Sequence, residues 1–185
     1  MDDSPYQLYA DLLTDQDRPD LVQFDCGPGV WAEAATEWIQ GSDVWESIHI
    51  RKTRVWLYRN DRDILVGFGS LGFTRRKWPP PDGPHGNLQI IPMLGLDRHF
   101  QGKPADRDWR YSHQIMSHLR YQAIKTQNEH VSFGRSTLPL LSLYVHHNNA
   151  PAIRLYQQFG FTPEPEPRRN DHILMLQKLD IGAST

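Results

Sequence analysis

The side chains of this sequence best spaced for acid–base chemistry lie in one segment, His146–Phe161, "HHNNAPAIRLYQQFGF". Asn148 or Asn149 can cap a helix by accepting from a free backbone N–H, and Pro151 fits a first turn, where its missing N–H costs nothing. Ala152, Leu155, Tyr156 and Phe159 recur at helical spacing, and Gly160 supplies a left-handed stop. On pattern alone this is a core helix whose tyrosine packs its ring and finds a partner for its hydroxyl. Cys26 is the sole cysteine, so there is neither an internal disulfide nor a thiolate cluster, and a reducing, cytoplasmic setting is the default. Nine histidines raise the question of a metal. His113 and His118 are not i, i+4 on their predicted helix and have no acidic or cysteine companion, so no metal site is expected.

The elements that must position these residues follow from periodicity. "LVQFD" (21–25) is expected as a first strand running into a turn at "CGPGV". Trp31, Ala34, Ala35 and Trp38 mark one apolar face of a helix, and 44–50 suits a second short one. Residues 54–60 and 64–73 are β-rich around Asp61-Arg62-Asp63, which predicts a hairpin. "NLQIIPMLGLD" (87–97) suits a buried strand, with Pro92 and Gly95 typical of a bulge. A helix over 111–127 buries Tyr111, Ile115, Met116, Leu119 and Ala123; strands at 138–146 and 172–179 flank the His146–Phe161 segment. The order is mixed α/β around one core, a single domain over 1–185 with peripheral tails at 1–20 and 180–185.

Composition fits an ordinary globular chain: 185 residues, 38% hydrophobic and 23% charged, with net charge −2. That balance argues against a protein devoted to coating nucleic acid and leaves a local basic groove open. The acidic start lacks a secretory pattern, and no apolar run has the length of a membrane span. Basic spots at Arg51-Lys52-Thr53-Arg54, Arg75-Arg76-Lys77-Trp78 and Arg168-Arg169 are either solvated patches or phosphate contacts.

The spacing Val145, Asn149, Ala152, Tyr156, Gly160-Phe161 resembles motif B of the GNAT superfamily of acyl-CoA-dependent N-acyltransferases. The resemblance implies a largely antiparallel mixed sheet with a splayed strand pair, flanked by helices. It implies acetyl-CoA as acyl donor, Tyr156 as the general acid that protonates the leaving thiolate, and Asn149 as a cofactor contact. It also makes Leu94, Gly95 and Leu96 the strand whose backbone amides pair with pantetheine and hold the oxyanion. The expected pyrophosphate turn falls at His99, Gly102 and Pro104 and departs from the family pattern, with about six residues, "PADRDW", inserted before the helix. Gln101, Gly102 and Lys103 can begin a backbone cradle for the pyrophosphate, with Arg107 or Arg110 supplying charge.

The reaction this implies is direct attack by a primary amine of a small molecule or peptide, with no covalent enzyme intermediate; Cys26 is then a small buried residue. A glutamate that serves as base in the family's ribosomal-protein N-terminal acetyltransferases is replaced by Tyr144. His146 or His147 could stand in for it, as could His85, Glu37 or a water chain, while a solvent-facing strand-end pair is the plainer alternative for the two histidines. "FDCGPGVWAEAATEWI" and "IPMLGLDRHFQGK" are also similar to GNAT-type toxins that acetylate aminoacyl-tRNA. Nucleic acid enters as a partner only under that alternative; a third possibility is a non-catalytic coenzyme A-binding or regulatory domain. Acceptor residues are expected near 31–50 and 162–171, and an available edge strand leaves a homodimer open.

Overall fold

The structure is a computed structural model that describes residues 8–79, 82–104, 110–164 and 171–180. Strand pairing runs β1(Tyr9–Leu12)-β2(Arg54–Arg59)-β3(Leu65–Lys77)-β4(His85–Ile91)-β6(Thr137–His146)-β8(His172–Lys178)-β7(Thr162–Pro163), and β5(Leu94–Leu96) also pairs with β3. The β1–β2, β3–β4, β3–β5, β6–β8 and β7–β8 ladders are antiparallel, and β4–β6 is parallel. The expected mixed, largely antiparallel sheet with accompanying helices is therefore the one observed. The chain divides into two compact units, Met1–Ser70 with Met93–Ser117 and Leu71–Pro92 with His118–Thr185.

In the first unit, α2(Val30–Gln40) and α3(Ser42–His49) pack a core of Phe24, Ala35, Ile39, Val44, Val55, Leu57 and Phe68. Three expectations change here. The segment 21–25 is not a strand: Leu21 ends the short helix α1(Arg18–Leu21), and the Gln40 Nε2 donates to the carbonyls of Leu21, Val22 and Phe24. A side chain thus takes the acceptors that a ladder would have used. The buried face of α2 is Ala35 and Ile39, with Ala32 packed beside them, while Trp31 is exposed. Thr36 fixes that rotation, because its hydroxyl donates to the Ala32 carbonyl and accepts the Cys26 N–H. Residues 9–12, expected in a peripheral tail, form an edge strand on β2.

The β2–β3 turn is the predicted hairpin. The Asn60 side chain accepts the N–H groups of Arg62 and Ile64, each at 3.0 Å, and Asp63 takes φ 57°. Further along, the pairing Gly72↔Ile90 gives way to Gly69↔Leu94, so Ser70 and Leu71 face Ile91, Pro92 and Met93. That is the bulge anticipated from Pro92, with one extra residue on the proline side. Ser70 pins it: its hydroxyl donates to the Met93 carbonyl at 2.7 Å and accepts the Met93 N–H at 2.9 Å.

In the second unit, β4 and β6 are parallel and β6 and β8 antiparallel. The β4–β6 ladder ends at Ile91↔Leu143, whereas β6 stays paired with β8 as far as His146↔His172. This is where the strand pair parts, as the resemblance implied. α4(Tyr111–Ser132), whose residues to Ser117 belong to the first unit, is longer than predicted and buries Tyr111, Ile115, Met116, Leu119 and Ala123 as expected. No helix among the described residues is long and apolar enough to cross a membrane.

Candidate active site

The first unit supplies backbone groups. Ser70 donates its backbone N–H to Met93, and Asp97 donates to Val66. Alternation between those two bonds makes Phe68–Gly95 the hydrogen-bonded pair. The N–H and C=O of Leu94 and Leu96 are therefore turned to the opposite edge of β5. Gly95 is thereby removed from the expected amide set, because its polar groups face β3. It serves by having no side chain: a Cβ there would lie 2.3 Å from Phe68 Cε1 and 2.8 Å from Cys26 Sγ.

Leu96 is also committed. Its carbonyl accepts from Gln101 Nε2 at 2.9 Å, and its N–H is directed to the Cys26 sulfur. Leu94 is left as the residue whose N–H and C=O have no partner among the described residues. The side chain of Gln101 is a strut from Leu96 to the Cys26 carbonyl, which it reaches at 2.7 Å, and leaves its backbone to the expected cradle. Burial pushes the Cys26 thiol up to about 11, so it stays protonated and inert.

The turn after β5 is built on Asp97, which is buried. Its carboxylate accepts the N–H of Asp25, the N–H of His99 and the His99 Nδ1 proton. His99, the first residue of the expected pyrophosphate turn, thus turns back on Asp97. Arg98 pairs with Asp25 at 3.1 Å. The "FDCG" segment (24–27), expected only as a strand end and a turn, is the brace for this turn. Gly102 has φ +70° with open space where a Cβ would stand, and the N–H groups of Gln101 and Gly102 have no acceptor among the described residues. Two adjacent unpaired amides at a left-handed residue form a nest suited to a phosphate. Lys103 is exposed beside them.

The insertion does not disconnect this turn from the helix. Pro104 and Arg110 pair as an isolated antiparallel bridge, closing the base of the extra loop. The Arg110 carbonyl then accepts from His113 and Gln114 and starts α4. Arg110 is exposed, whereas Arg107 lies outside the described residues, as does the Arg168-Arg169 pair.

The second unit holds Tyr156 and the helix that bears it. Asn149 caps α5(Ala150–Gln158), its Oδ1 accepting the Ala152 N–H at 3.3 Å. The expected apolar stripe of α5 is half-buried throughout, so Tyr156 is not a core tyrosine. Its ring tilts against Phe161, centroids 6.0 Å apart, and its hydroxyl has no hydrogen-bond partner among the described residues. Burial pushes that hydroxyl up to about 12. A desolvated phenol with an open hydrogen bond is a ready donor to a ligand atom and holds its proton at neutral pH.

His146 is placed differently from expectation. Its Nδ1 accepts the Asn148 N–H at 3.2 Å, which commits a basic lone pair to the turn ahead of α5. His147 Nδ1 lies 2.9 Å from the Asp171 carbonyl and donates to it. Tyr144 is exposed and accepts a hydrogen bond from Arg76 Nη1 at 2.6 Å. Among the described residues, no group of three or more His, Cys, Asp or Glu side chains could hold a metal.

No protein-family model matches the chain, and no curated protein matches it in sequence. Solved structures do. A tyrosine-to-phenylalanine mutant of the toxin AtaT, bound to the C-terminus of the antitoxin AtaR and acetyl-CoA, is 18% identical with TM-score 0.62, over 92% of both chains. AtaT complexed with acetyl-methionyl-tRNAfMet is 19% identical with TM-score 0.59, over 91% of this chain and 94% of that one. A KacTA–DNA complex is 16% identical with TM-score 0.63, over 93% of each. With the bulged strand, the parting ladder and the asparagine-capped helix bearing Tyr156, these likenesses establish that the chain has the GNAT fold.

Proposed function

We propose that the protein is an acetyl-CoA-dependent N-acetyltransferase whose acceptor is the α-amine of an aminoacyl-tRNA. The observation that carries the catalytic half of this reading is the Tyr156 hydroxyl, desolvated and without a partner among the described residues. In the proposed reaction the neutral amine attacks the thioester carbonyl, the new C–N bond forms and the C–S bond breaks. The Leu94 N–H steadies the oxyanion, Tyr156 donates to the departing sulfur as it becomes a thiol, and the proton left on the acylated nitrogen passes to water, from which the Tyr156 hydroxyl is reloaded. The amides of Gln101 and Gly102, with Lys103 and Arg110 as cations, suit the pyrophosphate. Asn149 acts through its cap, fixing the helix that bears Tyr156.

The acceptor class rests on two supports. One is the likeness to AtaT, which was solved with acetyl-methionyl-tRNAfMet. The other is that Tyr144 brings no carboxylate and His146 has its Nδ1 engaged in the turn ahead of α5. A lysine amine of pKa about 10.4 is only about one part in a thousand neutral near pH 7.4, and needs a base. An α-amine of pKa about 7.7–8.0 is roughly a quarter neutral there and needs none. With Tyr144 where a carboxylate would stand and His146 engaged in its turn, an acceptor of low amine pKa fits best. That argument disfavours lysine-like amines among the small-molecule and peptide acceptors expected from sequence, and peptide α-amines satisfy it equally.

The test is transfer of labelled acetyl from acetyl-CoA to charged tRNA, compared with polyamines, free amino acids and lysyl peptides. Label in the aminoacyl group of tRNA supports the proposal. Label only in small amines or peptides replaces the acceptor, and acetyl-CoA binding without transfer to any of them leaves a binding domain.

A further inference from the structure

We propose that the row formed by Arg76, Tyr144, His146 and His172, with His147 stacked on it, is a seat for the single-stranded 3′ end of an RNA acceptor. This rests on the tRNA reading above. Alternation along β6 puts Tyr144 and His146 on one face, and the register His146↔His172 sets a third ring across from the second. The His146 ring stacks on His147 with centroids 4.7 Å apart and planes at 24°, and meets His172 edge-on at 5.5 Å and 84°. Tyr144 is 41% exposed although both its strand neighbours, Leu143 and Val145, are buried. Arg76 lies on β3 and Tyr144 on β6, so the hydrogen bond between them crosses β4 and holds a guanidinium beside the phenol.

Flat rings in a row with a fixed guanidinium are what unpaired bases and a phosphate require. Bases stack on aromatic faces whatever their identity, and arginine takes the backbone. A chain of net charge −2 has no long-range field to draw RNA in, so local stacking and one placed cation must carry the recognition. The row sits on the strand that runs directly into Asn149 and the helix of Tyr156, which is where an acceptor's reactive end belongs.

The probe is an uncharged RNA hairpin with a short single-stranded 3′ tail, compared by fluorescence anisotropy with the same hairpin cut blunt. The wild-type protein is expected to hold the tailed hairpin more tightly. Tyr144→Ala should weaken the tailed complex about tenfold and His172→Ala several-fold, both leaving the blunt complex unchanged. Arg76→Gln should weaken both and reduce the dependence on salt by about one ion. Acetyl-CoA affinity serves as the folding control; where Tyr144→Ala fails it, Tyr144→Leu fills the space without a π-face and is read in its place. Equal binding of tailed and blunt hairpins, or a tail affinity within twofold of wild type in the Tyr144 variant, overturns the proposal. Because the probe carries no aminoacyl group, its binding is independent of whether charged tRNA is acetylated, and either proposal can fail without the other.

Discussion

Replacing Tyr156 by phenylalanine isolates one hydroxyl. Because that hydroxyl has no partner among the described residues, its loss strands no buried donor or acceptor, and the melting temperature should move by no more than about 2 °C. The kinetic effect should be large. With the hydroxyl pushed up to about 12, only about one tyrosine in ten thousand is ionised at pH 8, so the donor is always loaded. An ordinary thiol has a pKa of about 8.5, well below that of the buried phenol, so complete proton transfer to a free thiolate would run uphill by several kcal/mol. Tyr156 must therefore act as the C–S bond breaks, when sulfur is most basic relative to the phenol, chiefly as a strong hydrogen-bond donor. Removing it should lower kcat by about 10²- to 10³-fold, with KM for acetyl-CoA within about threefold. The assay is release of free thiol at saturating acceptor, first with acetyl-CoA and then with an acetyl thioester of a more acidic thiol. A more acidic leaving group needs less help, so the penalty should shrink with it. A kcat loss below about threefold, or the same penalty for both donors, would refute the assignment.

Other outcomes follow from the same contacts. Gly95→Ala should destabilise the protein by about 1–3 kcal/mol, seen in denaturant unfolding, because its Cβ would press on Phe68 and Cys26. Cys26, pushed up to about 11, should react with a thiol reagent at pH 8 about a hundredfold more slowly than a free cysteine thiol of ordinary pKa, and normally once the chain is unfolded. Asn149→Ala removes the α5 cap and should cost about 1 kcal/mol, with a fall in kcat because the cap fixes the turn that carries Tyr156. Raising the pH should expose the burial of Tyr156. Its pKa is about 10 unfolded and about 12 folded, so the protonated, buried hydroxyl is held without penalty below pH 10, and an unfolding bias grows between 10 and 12. Tyr156→Phe should move alkaline unfolding to higher pH.

The parts of the fold that are legible in the sequence are those written in periodicity and punctuation. The α4 stripe of Ile115, Met116, Leu119 and Ala123 is one, and the bulge at Pro92 and the Asn149 start of α5 are others. What periodicity misses is decided by single side chains acting at a distance. Gln40 claims three carbonyls of the segment 21–25, and no local pattern marks a glutamine that does so. Thr36 rotates α2 by binding the Cys26 N–H, so Trp31 and Ala34 leave the buried face on which their spacing places them.

The candidate site divides in the same way. Residue types locate Tyr156, Asn149 and Gly102, but which amide of Leu94, Gly95 and Leu96 stays open depends on strand parity, and parity is set by the bulge. One residue more or fewer there would have turned Gly95 outward and Leu94 inward. Ser70 holds the bulge on the β3 side. On the other edge, Cys26 and Gln101 occupy the groups of Leu96, leaving Leu94 as the position where a ligand can pair. The segment "FDCG" is thus tied to the chemistry without taking part in it: Asp25, Cys26 and Gly27 set the turn and the strand edge that leave Leu94, Gln101 and Gly102 unpaired among the described residues. A weakened brace should be felt first in acetyl-CoA affinity and only second in turnover, since none of its side chains belongs to the helix that carries Tyr156.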